Sequence, residues 1–429
     1  MLVVFLITLF GLVLIGVPIA YSLVGTGFFM MLVKAMSNPN AWSVFTLAQK
    51  FVNGCDSVPL LAIPFFMIAG EIMTRGGISK RIVDFAYSVL GRFKGGLGYV
   101  GILASMIFAG VSGSAVADTT AVGSMMLPIM QGAGYDKNKS TGIICAAGCI
   151  GPIIPPSTQM IFYGVCAEVS ISALFLGGII PGILIGVGLM VAWFVHVRKH
   201  DYPIGPKSSL KEILVATRKA LLAIFLPAFI IICITTGIAT ATETAALAVL
   251  YALIVSGLVY REFKLKEWPE LMINAMKSTA VMMFVVGSAQ VAAYMVTTCA
   301  IPQLLARFIT SMTNSPVVFM LLVNVMLVLV GCVMDSGPAI MILTPILLPI
   351  AKSFGLDPIY FGVVMVANLC IGLATPPVGN VLYCGVSIGK VKLMDLVKAS
   401  LPFVGVMYLV LMLITFFPEL IMFIPNMMR

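Results

Sequence analysis

The chain has 429 residues, of which 61% are apolar and only 10% charged, and its formal net charge is +9. No soluble domain of this length needs so much apolar surface, so the composition predicts an all-α polytopic membrane protein. Most Lys and Arg residues lie in short loops between apolar segments, where they act as topology signals, and this distribution excludes a basic face for nucleic acid.

The N-terminal segment is predicted to cross the membrane three times. The first two crossings lie before residue 35, with a turn near Pro18, and they leave residues 35–50 outside. Residues 51–74 are predicted to cross inward. Residues 78–94 are basic and amphipathic, which predicts a helix that lies on the inner surface.

The next apolar run, residues 95–131, is too polar at its centre for a simple crossing. Gly and Ser residues at 110–114 interrupt it at mid-depth, and basic residues flank both of its ends. Both ends therefore lie inside, which predicts a re-entrant helical hairpin. Residues 141–167 then cross outward with a Gly/Pro break at 151–156, and residues 170–197 return.

The second half repeats this pattern. Its predicted elements are a helical hairpin at 220–259, an outward span at 270–295, an amphipathic stretch at 299–315, a re-entrant hairpin at 316–351 that breaks between Gly331 and Pro338, a span broken at 372–377, and a last span at 400–424. The total is about ten transmembrane helices and two re-entrant hairpins.

An internal duplication underlies the pattern, because the same motifs recur 221 residues apart without gaps. Leu-Pro-Ile at 127–129 recurs at 348–350, and the break at 151–156 recurs at 372–377. A duplication of membrane-protein length with paired mid-segment breaks is typical of secondary transporters.

The loop charges indicate that the two repeats have opposite orientations. Residues 75–94 carry five basic residues, whereas their counterpart at 296–315 carries one. Conversely, residues 261–266 carry three and their counterpart at 40–45 carries none. Under the positive-inside rule, equivalent loops lie on opposite sides, which predicts inverted-topology repeats with both termini in the periplasm.

The four breaks predict where the chemistry lies. Proline removes an amide donor and frees a carbonyl, so paired prolines concentrate oxygen acceptors that, with Ser and Thr hydroxyls, suit a hard cation such as Na⁺. Half-helix N-termini favour an anionic substrate group. The alternative is that Gly and Pro only kink packed helices, and the symmetric pairing of the breaks counts against it.

Other polar residues are weaker candidates. Asp335 at the second tip could offset a cation's charge, while Asp118 could equally cap a helix or be neutral. Glu243 is predicted to be structural. Polar residues just past the two Pro-Pro breaks could contact substrate or cap a half-helix, namely Ser157, Thr158, Gln159 and Asn380. His196 and His200 flank basic residues and are predicted to be interfacial rather than metal ligands.

At these residues the chain resembles the large membrane subunit of the tripartite ATP-independent periplasmic (TRAP) transporters over essentially its whole length. The most specific segments are 110–118, 148–156, 242–246, 335–349 and 372–380. The symmetric build is shared with the divalent anion/sodium symporters. The resemblance implies an elevator-type importer in a bacterial inner membrane, driven by two or more Na⁺ ions and using no organic cofactor.

The resemblance also implies partners. A periplasmic substrate-binding protein would deliver an organic acid such as a sialic acid or a C4-dicarboxylate, and a small four-helix membrane subunit would complete the permease. We expect both on separate chains. Residues 1–94 and 220–315 would form a scaffold, residues 95–200 and 316–429 a transport domain, and residues 201–219 a cytoplasmic linker.

Carried onto this chain, the resemblance implies two Na⁺ sites, the first using Ser112, Ser114, Gly151, Ile154 and Pro156, and the second using Gly331, Asp335, Ser336, Gly372, Thr375 and Val378. Three other functions are weighed against this one. A stand-alone sodium/anion symporter or antiporter would share the fold. An intramembrane serine protease could use Ser112, but the histidines lie at the inner face. A passive channel would need rotational symmetry or a continuous polar lining, whereas this chain shows an inverted twofold.

Overall fold

The computed structural model describes residues 1–37, 43–206 and 209–428 of the chain, and these residues form helices joined by short connections. One isolated pairing between Lys94 and Ile204 is the extent of β-structure within those ranges. The helices of the first half are α1 (Leu2–Leu14), α2 (Ile19–Ser37), α3 (Val44–Cys55), α4 (Ala62–Arg75), α5 (Ile78–Leu90), α6 (Gly96–Ser112), α7 (Ala115–Gly132), α8 (Lys137–Gly148), α9 (Thr158–Ala167) and α10 (Ile171–Arg198).

The described residues of the second half form ten more α-helices. They are α11 (Leu210–Thr235), α12 (Ala241–Leu253), α13 (Trp268–Thr298), α14 (Ile301–Met312), α15 (Pro316–Val333), α16 (Ser336–Ser353), α17 (Pro358–Gly372), α18 (Asn380–Gly389), α19 (Leu393–Phe416) and α20 (Glu419–Met427). Short 3₁₀ turns precede α4 and α13, and α12 continues as a π-helical turn over Ile254–Val259.

The helices are those of a multi-pass membrane protein. Among the described residues, nine helical segments are long and apolar enough to cross a bilayer by length and composition, and four further apolar helices are shorter. The shorter ones include α6, α17 and α18, which flank the predicted tips and breaks.

The helix bounds of the two halves correspond closely. Residues 115 and 132, which bound α7, lie 221 positions before residues 336 and 353, which bound α16. The packing is reciprocal as well, because α7 packs on α18 whereas α16 packs on α9. Each hairpin therefore lies against the broken span of the other half.

The tips and breaks arise where side chains or glycine satisfy the helix ends. Gly113 adopts a left-handed conformation (φ +60°) that ends α6, and the Ser114 side chain caps α7. Ser157 caps α9 by accepting a hydrogen bond from the Met160 amide at 3.1 Å, and Asp335 caps α16. Capped ends allow these helices to stop inside the fold without leaving all their amides unpaired.

Three predicted elements differ from the structure. The predicted linker 201–219 is shorter than expected, because a capping box between Ser209 and Glu212 starts α11 at Leu210. The predicted crossing 51–74 is interrupted at residues 56–57. The predicted single last span 400–424 is wrong, because α19 runs from 393 to 416 and Pro418 then separates it from α20.

Parts of three predicted segments lie outside the described residues. They are positions 38–42 of the predicted outer loop 35–50, positions 207–208 of the predicted linker, and the terminal residue 429 of the predicted transport domain.

Candidate functional site

The first hairpin tip is a compact polar turn. The Ser112 hydroxyl donates a short hydrogen bond to Asp118 Oδ1, and the Ser114 amide donates to Ser112 Oγ at 3.2 Å. Asp118 is fully buried, and its second oxygen, Oδ2, has no hydrogen-bond partner among the described residues. A buried carboxylate without a counter-charge is costly, so this oxygen is a strong candidate for a cation ligand.

The first break lies directly against this tip. A methyl group on Gly151 would collide with Asp118 Oδ2, and one on Gly113 would collide with the Pro156 carbonyl oxygen. The carbonyl oxygens of Gly151, Ile154 and Pro156 accept none of the hydrogen bonds found among the described residues. The tip and the break therefore bring together the Asp118 carboxylate, the Ser112 hydroxyl and the unpaired Pro156 carbonyl group.

Ile154 stands apart from the other predicted members of the first site. Its side chain packs toward Gly182 of α10, and none of its described contacts reaches the tip. Ser157, a predicted substrate residue, donates a short hydrogen bond from its hydroxyl to the Pro152 carbonyl and caps α9. Ser157 thus has a structural role, the second of the two functions predicted for it.

The second tip presents its carboxylate differently. Asp335 Oδ1 accepts a hydrogen bond from the Ser336 amide at 2.8 Å, so the side chain caps α16. Asp335 is exposed, whereas Ser336 is fully buried. The carboxylate at this tip therefore faces open space instead of the protein interior.

The second break meets α15 through backbone contacts. A methyl group on Gly372 would lie 2.7 Å from Gly331 Cα, and the Val378 amide donates to the Cys332 carbonyl at 3.0 Å. Close approach of two backbones requires glycine at such positions. The predicted residues Gly331, Gly372 and Val378 are thus brought together.

Thr375 has other partners. Its hydroxyl donates to the Ile371 carbonyl at 3.1 Å and lies 3.3 Å from the Tyr408 hydroxyl of α19. Asn380 begins α18 and is half-buried, without a described link to either tip. These two predicted residues are near the second break in sequence, but the described contacts do not join them to Asp335.

A hydrogen-bonded bridge connects the two tips. Thr158 Oγ1 lies 3.2 Å from the Gly113 carbonyl oxygen and 2.7 Å from Gln159 Oε1. Gln159 Nε2 donates to Ser336 Oγ at 3.3 Å. All of these side chains are buried, and the bridge places the N-terminus of α9 beside that of α16.

A cavity of about 400 Å³ opens beside the second tip. Its walls are Gln159 and Phe162 of α9, Asp335, Gly337, Pro338 and Met341 at the start of α16, and Ile19, Ser278, Val281, Met282 and Val285 of α2 and α13. None of these lining residues is a Lys or Arg. Small-molecule sites have this size and this mixture of apolar walls with a few polar groups.

Two features of the site were not predicted from the sequence. The contact of Asp118 with Ser112 was missed, although an acid in the first turn after the tip was a signal for it. The bridge from Gln159 to Ser336 joins positions 177 residues apart, for which the chain carries no local signal.

Neither the pair His196 and His200 nor Glu243 resembles a metal site. Within the described ranges there is no group of three or more His, Cys, Asp or Glu side chains that could hold a metal ion. His196 and His200 pack against each other at a ring-centroid distance of 4.4 Å, and His196 Nε2 lies 2.9 Å from the Tyr202 hydroxyl. Glu243 caps α12 through a capping box with Thr240.

Comparison with known proteins identifies one family. The model of the DctM component of tripartite ATP-independent periplasmic transporters matches residues 6–420. The 2,3-diketo-L-gulonate TRAP transporter large permease protein YiaN of Escherichia coli (strain K12) is 43% identical over 97% of both chains. The C4-dicarboxylate TRAP transporter large permease protein DctM of Pseudomonas aeruginosa is 39% identical over 90% of both.

A third relative and one solved structure extend the comparison. The sialic acid TRAP transporter large permease protein SiaM of Vibrio cholerae is 35% identical, and the match covers 97% of this chain and 96% of that protein. The crystal structure of the YdaH transporter of Alcanivorax borkumensis matches 86% of both chains with a TM-score of 0.64 at 15% identity, which shows a shared fold.

Proposed function

The chain belongs to the tripartite ATP-independent periplasmic transporters as a DctM component, the large permease subunit, and on that premise we propose that it imports an organic acid together with Na⁺ by an elevator movement. Its relatives are permease subunits and not enzymes, which removes the serine protease alternative. The family match also favours a tripartite system over a stand-alone symporter.

The proposed assembly has three parts in the inner membrane and periplasm of a bacterium. A periplasmic binding protein delivers the acid, and a small four-helix subunit joins this chain. The proposed substrate class rests on the relatives, which include transporters of 2,3-diketo-L-gulonate, C4-dicarboxylates and sialic acid. All three are carboxylates.

The single observation that carries the Na⁺ proposal is the chemistry at the first tip. Asp118 Oδ2 is buried without a hydrogen-bond partner, next to the Ser112 hydroxyl and the break at Gly151. A bound Na⁺ would supply the missing positive charge, and oxygen donors are the ligands that hard cations prefer. We propose Ser112, Asp118 and the carbonyls of the first break as its ligands.

The second proposed site couples the cation to the substrate. Asp335 lines the 400 Å³ cavity, which has no basic side chain among its lining residues. An organic acid that enters this cavity is repelled by the carboxylate until a cation neutralises it, because like charges a few ångströms apart cost several kcal/mol outside bulk water. Na⁺ binding at Asp335 and the second break therefore precedes binding of the acid.

Gln159 is the proposed substrate contact that the geometry supports best. Gln159 lines the cavity, whereas Ser157 and Thr158 do not. Asn380 begins α18 after the second break and does not line the cavity either. The amino ends of α9 and α16 meet beside the cavity and favour an anionic group there.

The proposed topology consists of inverted repeats with about ten crossings, two re-entrant hairpins and periplasmic termini. It is supported by the reciprocal packing of α7 on α18 and of α16 on α9, and by the unequal numbers of basic residues in equivalent loops. The cavity lies between α2 and α13 of the proposed scaffold and α9 and α16 of the proposed moving domain. Movement of that domain would carry the site across the membrane.

Cysteine labelling tests the topology in a variant that lacks the nine native cysteines. Lys80→Cys and Arg307→Cys occupy exposed positions on the two amphipathic helices α5 and α14. We expect a membrane-impermeant maleimide to label them from opposite sides of the membrane. Labelling from the same side would contradict the inverted repeats.

Reconstitution tests the function. The chain with its small subunit is placed in proteoliposomes, and the binding protein and radiolabelled acid are added outside. We expect uptake only with an inward Na⁺ gradient and with the binding protein present. Equal uptake on an inward K⁺ gradient would contradict Na⁺ coupling, and equal uptake without the binding protein would contradict the tripartite assembly.

A further inference from the structure

We propose that the bridge through Thr158 and Gln159 couples the two cation sites, so that Na⁺ at one tip raises the affinity for Na⁺ at the other. This inference rests on the two-site function proposed above. It assigns to these side chains a role that is separate from contact with the substrate.

The bridge begins at the backbone of the first tip. The Thr158 hydroxyl donates to the Gly113 carbonyl oxygen at 3.2 Å. Gly113 forms the turn between Ser112 and Ser114. The same hydroxyl lies 2.7 Å from Gln159 Oε1, so its proton is shared between two acceptors. A change in the turn at Gly113 therefore changes how strongly Thr158 holds the Gln159 amide.

The bridge ends at the carboxylate of the second tip. Gln159 Nε2 donates to Ser336 Oγ at 3.3 Å, and both the amide and the hydroxyl of Ser336 lie close to Asp335 Oδ1, at 2.8 and 3.5 Å. The position of the Gln159 amide thus affects the orientation of the Ser336 hydroxyl. That hydroxyl either donates to Asp335 or turns its oxygen toward a cation.

Burial makes the bridge effective. Thr158 is 2% exposed, Gln159 9% and Ser336 0%, so these hydrogen bonds are largely shielded from water although Gln159 lines the cavity. In such surroundings hydrogen bonds are stronger electrostatically, and successive bonds polarise one another. A cation that fixes the first turn therefore fixes the donors around Asp335. By thermodynamic linkage the effect is reciprocal.

The bridge occurs once, although the fold repeats. At the equivalent positions, 221 residues on, Thr158 and Gln159 are replaced by Gly379 and Asn380, and Ser336 corresponds to Ala115. Neither Gly379 nor Ala115 has a polar side chain, so the symmetric counterpart of the bridge cannot form. A structural requirement of the fold would apply to both repeats, whereas coupling needs a single connection.

Thr158→Val tests the coupling, because valine keeps the shape of threonine and removes the hydroxyl, while Gln159 stays in the cavity. The readout is the Na⁺ dependence of acid uptake by the reconstituted complex at saturating binding protein. We expect the Hill coefficient to fall from near 2 to near 1, and the half-saturating Na⁺ concentration to rise on the order of 5-fold or more. Thr158→Ser, which keeps the hydroxyl, should restore both values.

Thr344→Val is the matched control. Thr344 is equally buried, and its hydroxyl donates to the Ile340 carbonyl at 2.6 Å within α16, away from the bridge. We expect it to keep the wild-type Hill coefficient. Gln159→Met tests the other end of the bridge and serves if Thr158→Val does not fold.

The outcomes separate the two proposals. A wild-type Hill coefficient in folded Thr158→Val, or in Gln159→Met, would overturn the coupling while leaving Na⁺-driven transport intact. Uptake by the wild-type complex that ignores Na⁺ would instead overturn the proposed function. An increase in the KM for the acid without a change in the Hill coefficient would assign Gln159 to substrate binding alone.

Discussion

The two hairpin tips have the same backbone plan, but they place their carboxylates in opposite environments. Asp118 lies in the first turn of α7, is fully buried and accepts from Ser112, whereas Asp335 caps α16 and is exposed to a cavity. At the equivalent positions Asp118 corresponds to Ala339, and Asp335 corresponds to Ser114. Each repeat has kept one acid at its tip, at a different place.

The two Gly/Pro breaks also differ in burial. At the first break, Gly151 and Pro156 are buried, whereas residues 376–378 of the second break are exposed. The first tip and break therefore form a closed group of buried polar atoms, and the second tip and break form an exposed group. The two halves therefore share a backbone arrangement from the duplication, and side-chain changes give the two tips different environments.

The largest expected effect separates the closed site from the rest of the protein. Asp118→Asn removes the charge that balances a buried cation, and a charge pair in such surroundings is worth about 4 kcal/mol at 4 Å, part of which desolvation offsets. We expect the half-saturating Na⁺ concentration for uptake to rise on the order of 100-fold. Asp84→Asn, on the exposed face of α5, is the control, and an equal shift there would contradict the assignment.

The second prediction concerns the open site. Asp335→Asn removes both a cation ligand and the repulsion between carboxylate and substrate. We expect the half-saturating Na⁺ concentration to rise roughly 10-fold, less than at Asp118 because solvent screens an exposed charge. We also expect the KM for the acid to become nearly independent of Na⁺. A KM that still falls steeply as Na⁺ is added would show that Asp335 does not link ion and substrate.

The third prediction compares the two predicted hydroxyl ligands, and it includes the smallest expected effect. Ser112 contacts the buried carboxylate, whereas the Thr375 hydroxyl already donates to Ile371 and lies beside Tyr408. We expect Ser112→Ala to raise the half-saturating Na⁺ concentration about 10-fold and Thr375→Ala about 3-fold, since a hydrogen bond to a charged group is worth about twice a neutral one. Equal effects, measured by Na⁺ titration of uptake, would remove the difference between the sites.

Much of the architecture could be predicted because short local sequence motifs determine it. Glycine at 113 and the paired prolines at 155–156 disrupt a helix, and the 221-residue offset repeats the paired prolines at 376–377. The tips and the breaks therefore agree with the structure to within a few residues. The early start of α11 at Leu210 was missed because the charged residues near Lys211 were interpreted as part of a loop. The Ser209 capping box instead starts a helix there.

The site was less predictable because its contacts depend on how distant elements pack. Whether Asp118 turns inward depends on the angle at which α7 leaves the tip. The approach of Gln159 to Ser336 depends on α9 and α16 meeting across the two repeats. Neither the angle nor the crossing has a signature in a short segment of sequence.

Equilibrium binding of radioactive Na⁺ to the purified chain with its small subunit tests whether the two tips form two cation sites of unequal character. We predict two bound ions per chain in the wild type and one in each of Asp118→Asn and Asp335→Asn at high Na⁺ concentration. The acid should change the affinity of the ion that remains in Asp118→Asn much more than that of the ion in Asp335→Asn. A single bound ion in the wild type, or an equal response of both variants to the acid, would contradict two unequal cation sites.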